Sequence, residues 1–134
     1  FIIPHFVDVD VMATNQFYGK GIKALFPALI YAFIQTGLSE EILFRGFLMK
    51  RLSNKFGFQL GNVLQSLVFG LMHGVLFFSN IAILAVCFIT IFTAIVGWLL
   101  GWMNEKEADG SIIPSWIMHG IVNFLSAIYV IFFV

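Results

Sequence analysis

The sequence of 134 residues has few charged residues and one cysteine, and these scarcities limit what the protein can be. Lysine and arginine together number seven, as do aspartate and glutamate, so charged residues make up 10% of the chain. An ordinary globular domain carries about 25%. Zero net charge and the lack of a basic run argue against a nucleic-acid partner. The lone Cys87 excludes a disulfide framework and a thiolate metal cluster.

Apolar residues are abundant instead. They make up 60% of the chain, 17 residues are phenylalanine, and the mean hydropathy is +0.99. A soluble domain of this size could not bury so much apolar surface. The composition therefore predicts an integral membrane protein with the lipid bilayer as its first partner.

Four hydrophobic segments predict an all-α fold, a polytopic transmembrane helical bundle of about four spanning helices. Each is near or above the roughly 20 residues that a helix needs to cross a hydrocarbon core. The predicted segments are residues 22–51, 59–78, 81–103 and 113–134. Residues 1–21 are predicted to be an irregular or truncated N-terminal segment, because the chain begins without methionine and lacks a signal-peptide pattern. We therefore expect upstream helices to be missing and residues 22–134 to form the functional core.

The first hydrophobic segment contains two carboxylates and a guanidinium: Glu40, Glu41 and Arg45. An ionised side chain at the centre of a membrane helix costs roughly 2.5–3.5 kcal/mol, so the three predict a functional site within the membrane. Glu41 and Arg45 are i,i+4 neighbours with the acid on the N-terminal side, the order that favours an ion pair. Glu40 points about 100° away from Glu41 and is left to face another helix.

Two further segments carry polar residues at similar depth. Counting 1.5 Å per residue from the nearest predicted helix end, Glu40 lies about 15 Å deep and His73 about 21 Å. By the same count, His119 and Asn123 lie about 9 and 15 Å deep. Three helices thus bring polar groups toward the middle of the bilayer, which predicts that these groups enclose one polar cavity.

These residues form three motifs in order along the chain, each on a separate predicted helix. E-E-x-x-x-R spans residues 40–45, F-x-x-x-H spans residues 69–73, and H-x-x-x-N spans residues 119–123. The set resembles the CPBP family of CAAX proteases and bacteriocin-processing enzymes, also called the Abi or type II CAAX endopeptidase family. The resemblance covers about residues 24–134.

The resemblance implies an intramembrane endopeptidase of the glutamate type. Glu40 and His73 would activate the water that attacks the scissile carbonyl, His119 and Asn123 would stabilise the oxyanion, and Glu41 and Arg45 would support the first motif. The implied substrate is a peptide or membrane protein, either prenylated or bacteriocin-like. The implied location is a bacterial plasma membrane. No cofactor is expected.

Other readings of the same residues stay open. Glu40 or Glu41 with His73 and His119 gives an acid and two imidazoles, a set compatible with catalytic zinc, although asparagine is a poor zinc ligand. A catalytically silent member of the family would bind a peptide or confer bacteriocin immunity without cleavage. Intramembrane acids, histidines and arginines also build the proton relays of transporters, although four spans without an inverted repeat argue against that class.

Overall fold

A computed structural model of the chain describes residues 8–134, and this described part contains helices and no strands. Four helices are long and apolar enough to span a membrane: α1 (Gly21–Phe56), α2 (Phe58–Phe77), α3 (Ile83–Glu107) and α4 (Ile113–Phe132). The predicted all-α membrane fold is confirmed. Two short 3-10 helices, Val9–Val11 and Ala13–Phe17, precede α1. Residues 1–7 of the predicted N-terminal segment lie outside the described residues, and its truncation stays a prediction.

Two helices extend further than the hydropathy pattern predicted. Residues 53–57 were expected to connect the first two helices, but α1 continues to Phe56, and Gly57 alone separates it from α2. A φ of 84° at Gly57 allows this sharp break, because only glycine adopts such a conformation without strain. The third connection was expected at residues 104–111, but α3 continues to Glu107. Hydropathy marks where a helix leaves the hydrocarbon, and these helices continue beyond that point.

The long helix α1 is not uniformly α-helical. Two π-helical segments, Tyr31–Leu38 and Ile42–Leu48, flank a short α-helical turn at Ser39–Glu41. In the first π segment, the Thr36 hydroxyl donates a hydrogen bond to the Tyr31 carbonyl at 3.1 Å, five residues back. Such wide turns are rare in proteins and are frequent at functional sites. The two adjacent glutamates are therefore carried by an irregular part of the helix.

The described residues divide into two compact units. The terminal unit comprises residues up to Ser39 together with Trp116–Val134, and the central unit comprises Glu40–Ser115. The divisions fall within α1 and within α4.

In the central unit, closely spaced glycines allow α2 and α3 to approach each other. Gly70 and Gly74 on α2, and Gly97 and Gly101 on α3, form two pairs separated by four residues. At Gly74, for example, the Thr90 side chain occupies the space that a Cβ atom would need. Small residues at this spacing are typical of membrane helix interfaces, where packing replaces the hydrophobic effect as the source of stability.

One ion pair ties the end of α1 to the end of α3 within the central unit. Lys50 pairs with Glu105, and its Nζ donates a second hydrogen bond, at 3.0 Å, to the Gly110 carbonyl in the following connection. This contact lies at the predicted membrane surface, where both side chains are partly exposed.

In the terminal unit, small and apolar residues bring α1 and α4 together. The core of this unit consists of Phe17, Ala24, Ala28, Ala127 and Ile131. A Cβ atom on Gly37 would lie 3.4 Å from the Gly120 Cα atom, so the two helix backbones are near contact distance at that level. Gly120 follows His119 directly, which places the close approach beside the third motif.

The close packing of α2 and α3 predicts that Gly70→Ala destabilises the protein. The added Cβ would lie 2.7 Å from the Ala94 Cβ and 3.0 Å from the Ala94 nitrogen, and a backbone atom cannot move aside cheaply. Overpacking of this kind typically costs about 1–3 kcal/mol. The measurement is thermal unfolding of the purified protein in detergent.

Gly46→Ala is the matched control. Its added Cβ would meet only the Glu41 carbonyl oxygen at 3.7 Å, an ordinary van der Waals contact. We expect this variant to unfold at or above the wild-type temperature. Equal destabilisation of the two variants would contradict the packing argument.

Candidate active site

Glu40 and His73 face each other in the central unit. The His73 Nε2 atom lies 3.9 Å from the Glu40 Oε2 atom, and both side chains are about one fifth to one quarter exposed, at 19% and 26%. Glu40 comes from the α-helical turn of α1, and His73 comes from α2. The structure thus brings together the first and second motifs.

A backbone hydrogen bond fixes the tautomer of His73. Its Nδ1 atom lies 2.9 Å from the Phe69 carbonyl oxygen, one helical turn earlier. Because a carbonyl oxygen only accepts, Nδ1 carries the hydrogen, and in the neutral ring Nε2 is the acceptor. In the neutral ring, the Nε2 atom therefore directs its lone pair toward the Glu40 carboxylate. Two acceptors that face each other can be bridged by a shared proton, a water molecule or a cation.

Glu41 and Arg45 form a buried ion pair, as their spacing predicted. Arg45 Nη1 donates to Glu41 Oε1 at 2.8 Å, and both side chains have no exposed surface. The second carboxylate oxygen, Oε2, accepts a hydrogen bond from the Ser115 hydroxyl at 2.5 Å. Both oxygens of Glu41 are thus engaged by protein groups, which leaves Glu40 as the member of the pair that faces His73.

The aromatic ring of Phe69, in the second motif, lies between Arg45 of the first motif and His73. The Arg45 guanidinium carbon lies 4.3 Å from the centre of this ring, and the His73 ring centre lies 4.4 Å from it. Phe44 packs edge-on against the same ring, with the centroids 5.0 Å apart. Phe69 therefore covers the buried cation on one side and supports the histidine on the other.

The third motif lies in the terminal unit. His119 and Asn123 are half-buried and one turn apart on α4. Asn123 Nδ2 donates to the Thr36 hydroxyl oxygen at 2.8 Å, so a residue of the first π segment holds this amide. Trp116, one turn before His119, donates from Nε1 to the Phe33 carbonyl at 2.6 Å. These contacts fix the rotation of α4 against α1 inside the terminal unit.

Three polar residues that contact the motif residues, or each other, were not predicted as site residues: Thr36, Ser115, and Asn104, whose Nδ2 donates to the Ser115 hydroxyl at 2.7 Å. Asn104 lies just beyond the third predicted segment, residues 81–103. A sequence signal existed for Ser115, because it precedes His119 by four residues and so shares its helix face. No local pattern indicates that Asn104 or Thr36 has a distant partner.

The central unit has few side chains that are grouped so that they could bind a metal ion. Between Glu40 and Ser115, no three histidine, cysteine, aspartate or glutamate side chains are grouped so that they could hold a metal ion. Glu40 and His73 would provide two ligands. The zinc alternative, which adds His119 to an acid and His73, stays a prediction.

Four spanning helices that carry buried acids, an arginine and histidines are typical of membrane proteins with a functional site inside the bilayer. The family model described as type II CAAX prenyl endopeptidase, Rce1-like, matches residues 22–125. The chain belongs to this family of CAAX-type intramembrane endopeptidases, in agreement with the resemblance of its motifs. No curated protein and no solved structure matches the chain.

The different surroundings of the two adjacent glutamates predict different stability effects. Glu41→Gln removes the charge that neutralises buried Arg45, and breaking a buried ion pair costs about 3–5 kcal/mol. Glu40→Gln makes the same chemical change at a partly exposed position and should leave unfolding nearly unchanged. Thermal unfolding of both variants in detergent is the measurement. A loss of stability that is equal in the two variants would refute this distinction.

Proposed function

We propose that this protein is an intramembrane endopeptidase that hydrolyses a peptide bond with a water molecule activated between Glu40 and His73. The observation that carries the proposal is the 3.9 Å separation of Glu40 Oε2 from His73 Nε2, with the histidine hydrogen held at Nδ1. Membership in a peptidase family supports the reaction class. We propose glutamate chemistry rather than metal chemistry.

The distance between the two acceptors suits one bridging water. If a water oxygen lies at hydrogen-bond distance, about 2.8 Å, from both acceptor atoms, the angle acceptor–oxygen–acceptor is roughly 90°. This angle is close to the angle between the two O–H bonds of the water. Such a water donates one hydrogen to Glu40 and one to His73. Its lone pairs then point away from both groups, toward an approaching carbonyl carbon.

The reaction follows from this arrangement. As the water oxygen forms a bond to the carbonyl carbon, its proton passes to the Glu40 carboxylate, and the carbonyl oxygen becomes an oxyanion. The tetrahedral species collapses when the carbon–nitrogen bond breaks, and Glu40 returns the proton to the departing amine. His73 holds the water through Nε2 and keeps its own hydrogen at Nδ1.

We assign oxyanion stabilisation to His119 and Asn123. This assignment rests on the third motif and on the family. An asparagine amide can donate two hydrogens, and the bond to Thr36 uses one. Preorganised donors of this type act where charge develops and typically contribute 10²–10³-fold to turnover.

The family description suggests the substrate class. We propose a peptide with a C-terminal CAAX sequence that carries a prenyl group, and a bacteriocin-like peptide is the alternative substrate. The position of Glu40 near the middle of a spanning helix supports the proposal that the substrate enters from the lipid phase. The proposed location is a bacterial plasma membrane.

The test is cleavage of a farnesylated CAAX peptide and of its unmodified counterpart by the protein in detergent or lipid nanodiscs. We expect wild-type protein to cleave the peptide and Glu40→Gln to lose activity while remaining folded, because glutamine cannot accept the proton. Mass spectrometry of the products is the measurement. Absence of cleavage by folded wild-type protein for both peptides and for a bacteriocin precursor would instead favour a silent peptide-binding protein.

The same assay separates the metal-free mechanism from the zinc mechanism. We expect purified active protein to contain no stoichiometric metal and to keep its activity after exhaustive chelation. About one metal per chain, with activity that is lost on chelation and restored by zinc, would overturn the metal-free mechanism. That result would leave the peptidase assignment in place.

A donor that acts only in the transition state should affect turnover alone. We therefore expect Asn123→Ala to lower kcat by roughly 10²–10³-fold with little change in KM. Steady-state kinetics with the cleaved peptide provide the measurement. Asn54→Ala, the same substitution at an exposed residue of α1, is the control and should retain wild-type kinetics. A rise in KM without loss of kcat would assign Asn123 to substrate binding instead.

A further inference from the structure

We infer that Ser115 and Asn104 are positioning residues that orient Glu40 by holding its neighbour Glu41. This inference rests on the proposed function of Glu40. It concerns two residues that belong to none of the three motifs. All four side chains lie in the central unit, and Glu41, Asn104 and Ser115 are fully buried.

The first step is the hydrogen-bond arrangement around Ser115. Its hydroxyl has a single hydrogen and two nearby acceptors, Glu41 Oε2 at 2.5 Å and the Ile112 carbonyl at 3.1 Å. The carboxylate is closer and charged, so it receives the hydrogen. The Ser115 oxygen in turn accepts a hydrogen bond from Asn104 Nδ2 at 2.7 Å.

The second step is the way Asn104 holds Ser115. Asn104 Oδ1 accepts a hydrogen bond from the Ser115 backbone nitrogen at 3.3 Å. Because α4 begins at Ile113, this N–H lies in the first helical turn and has no acceptor within its own helix. The amide of Asn104 therefore binds both the backbone and the hydroxyl of Ser115. Both hydrogen bonds are possible only with the amide in this one orientation.

The third step connects this network to Glu40. Glu41 is held at one oxygen by Arg45 and at the other by Ser115, so its side chain cannot rotate without breaking a buried bond. Glu40 precedes it on the same short α-helical turn, between two π segments. The direction in which Glu40 faces His73 is set by the rotation of that turn. Anchoring Glu41 therefore fixes the 3.9 Å approach of Glu40 to His73.

The experiment compares Ser115→Ala with Ser66→Ala. Ser66 is also buried in the central unit, but its hydroxyl donates only to the Val63 carbonyl within its own helix at 2.8 Å. Displacement of a reacting group by 1 Å can cost about 10²-fold in rate. We expect Ser115→Ala to lower kcat at least about tenfold with KM within about twofold of wild type. Ser66→Ala should change neither.

A double-mutant cycle that combines Ser115→Ala with Glu41→Gln shows whether Ser115 acts through Glu41. If it does, adding Ser115→Ala to Glu41→Gln should lower kcat much less than adding it to wild type. Losses that multiply in the double variant would show independent effects and overturn the inference. Ser115→Cys keeps a weak hydrogen-bond donor in a similar volume and should lower kcat less than Ser115→Ala. It replaces Ser115→Ala in these measurements if the alanine variant does not fold.

A spectroscopic measurement tests the network without any cleavage. The imidazole nitrogen resonances of protein labelled with ¹⁵N-histidine report the surroundings of His73, and His73→Gln assigns them among the three histidines. Ser115→Ala should shift the His73 resonances, and Ser66→Ala should not. Failure of wild-type protein to cleave peptide would overturn the proposed function alone. Unmoved His73 resonances in folded Ser115→Ala would overturn the positioning role alone.

Discussion

The central unit depends on one interaction, the buried ion pair between Glu41 and Arg45. A buried pair is tolerated only if its remaining polar atoms and its surroundings compensate for lost water. The carboxylate meets this condition through Ser115. Arg45 Nε and Nη2 have no hydrogen-bond partner among the described residues, and the guanidinium instead lies against the ring of Phe69. A Cβ on Gly97 would lie 3.1 Å from Arg45 Nη2, a tighter contact than most Cβ atoms make, so glycine leaves room on α3 for the guanidinium. One ion pair therefore constrains residues on all the helices that contribute to this unit.

The same interaction separates the two adjacent glutamates. Consecutive residues on a helix point about 100° apart, so they cannot share one environment. Glu41 points into the protein and accepts a hydrogen bond at each carboxylate oxygen, while Glu40 points toward His73 and keeps a quarter of its surface exposed. Identical side chains thus have different surroundings because of their position alone. Under the proposed mechanism the first motif requires both glutamates, because the anchored Glu41 orients Glu40 toward His73.

Sequence reasoning reached the features that depend on local spacing and composition. Hydropathy predicted the four spans, and i,i+4 spacing predicted the Glu41–Arg45 pair. It missed the full lengths of α1 and α3, because polar helix ends resemble connections once they leave the hydrocarbon. It also missed the bond between Glu41 and Ser115, which joins residues 74 positions apart and leaves no local pattern. The roles of His119 and Asn123 stay predictions, since they depend on the motif and not on a measured distance.

The spacing of the second motif also has a physical basis. A helix places the carbonyl of each residue beside the residue four positions later, so the Phe69 carbonyl can bind the His73 ring through its second lone pair. Any residue at position 69 would supply that carbonyl. The phenylalanine side chain is needed for a different reason, because its ring lies against both Arg45 and His73. Phe69 therefore has two effects: its carbonyl sets the tautomer of His73, and its ring covers the buried Arg45. A change at this residue acts on both motifs together.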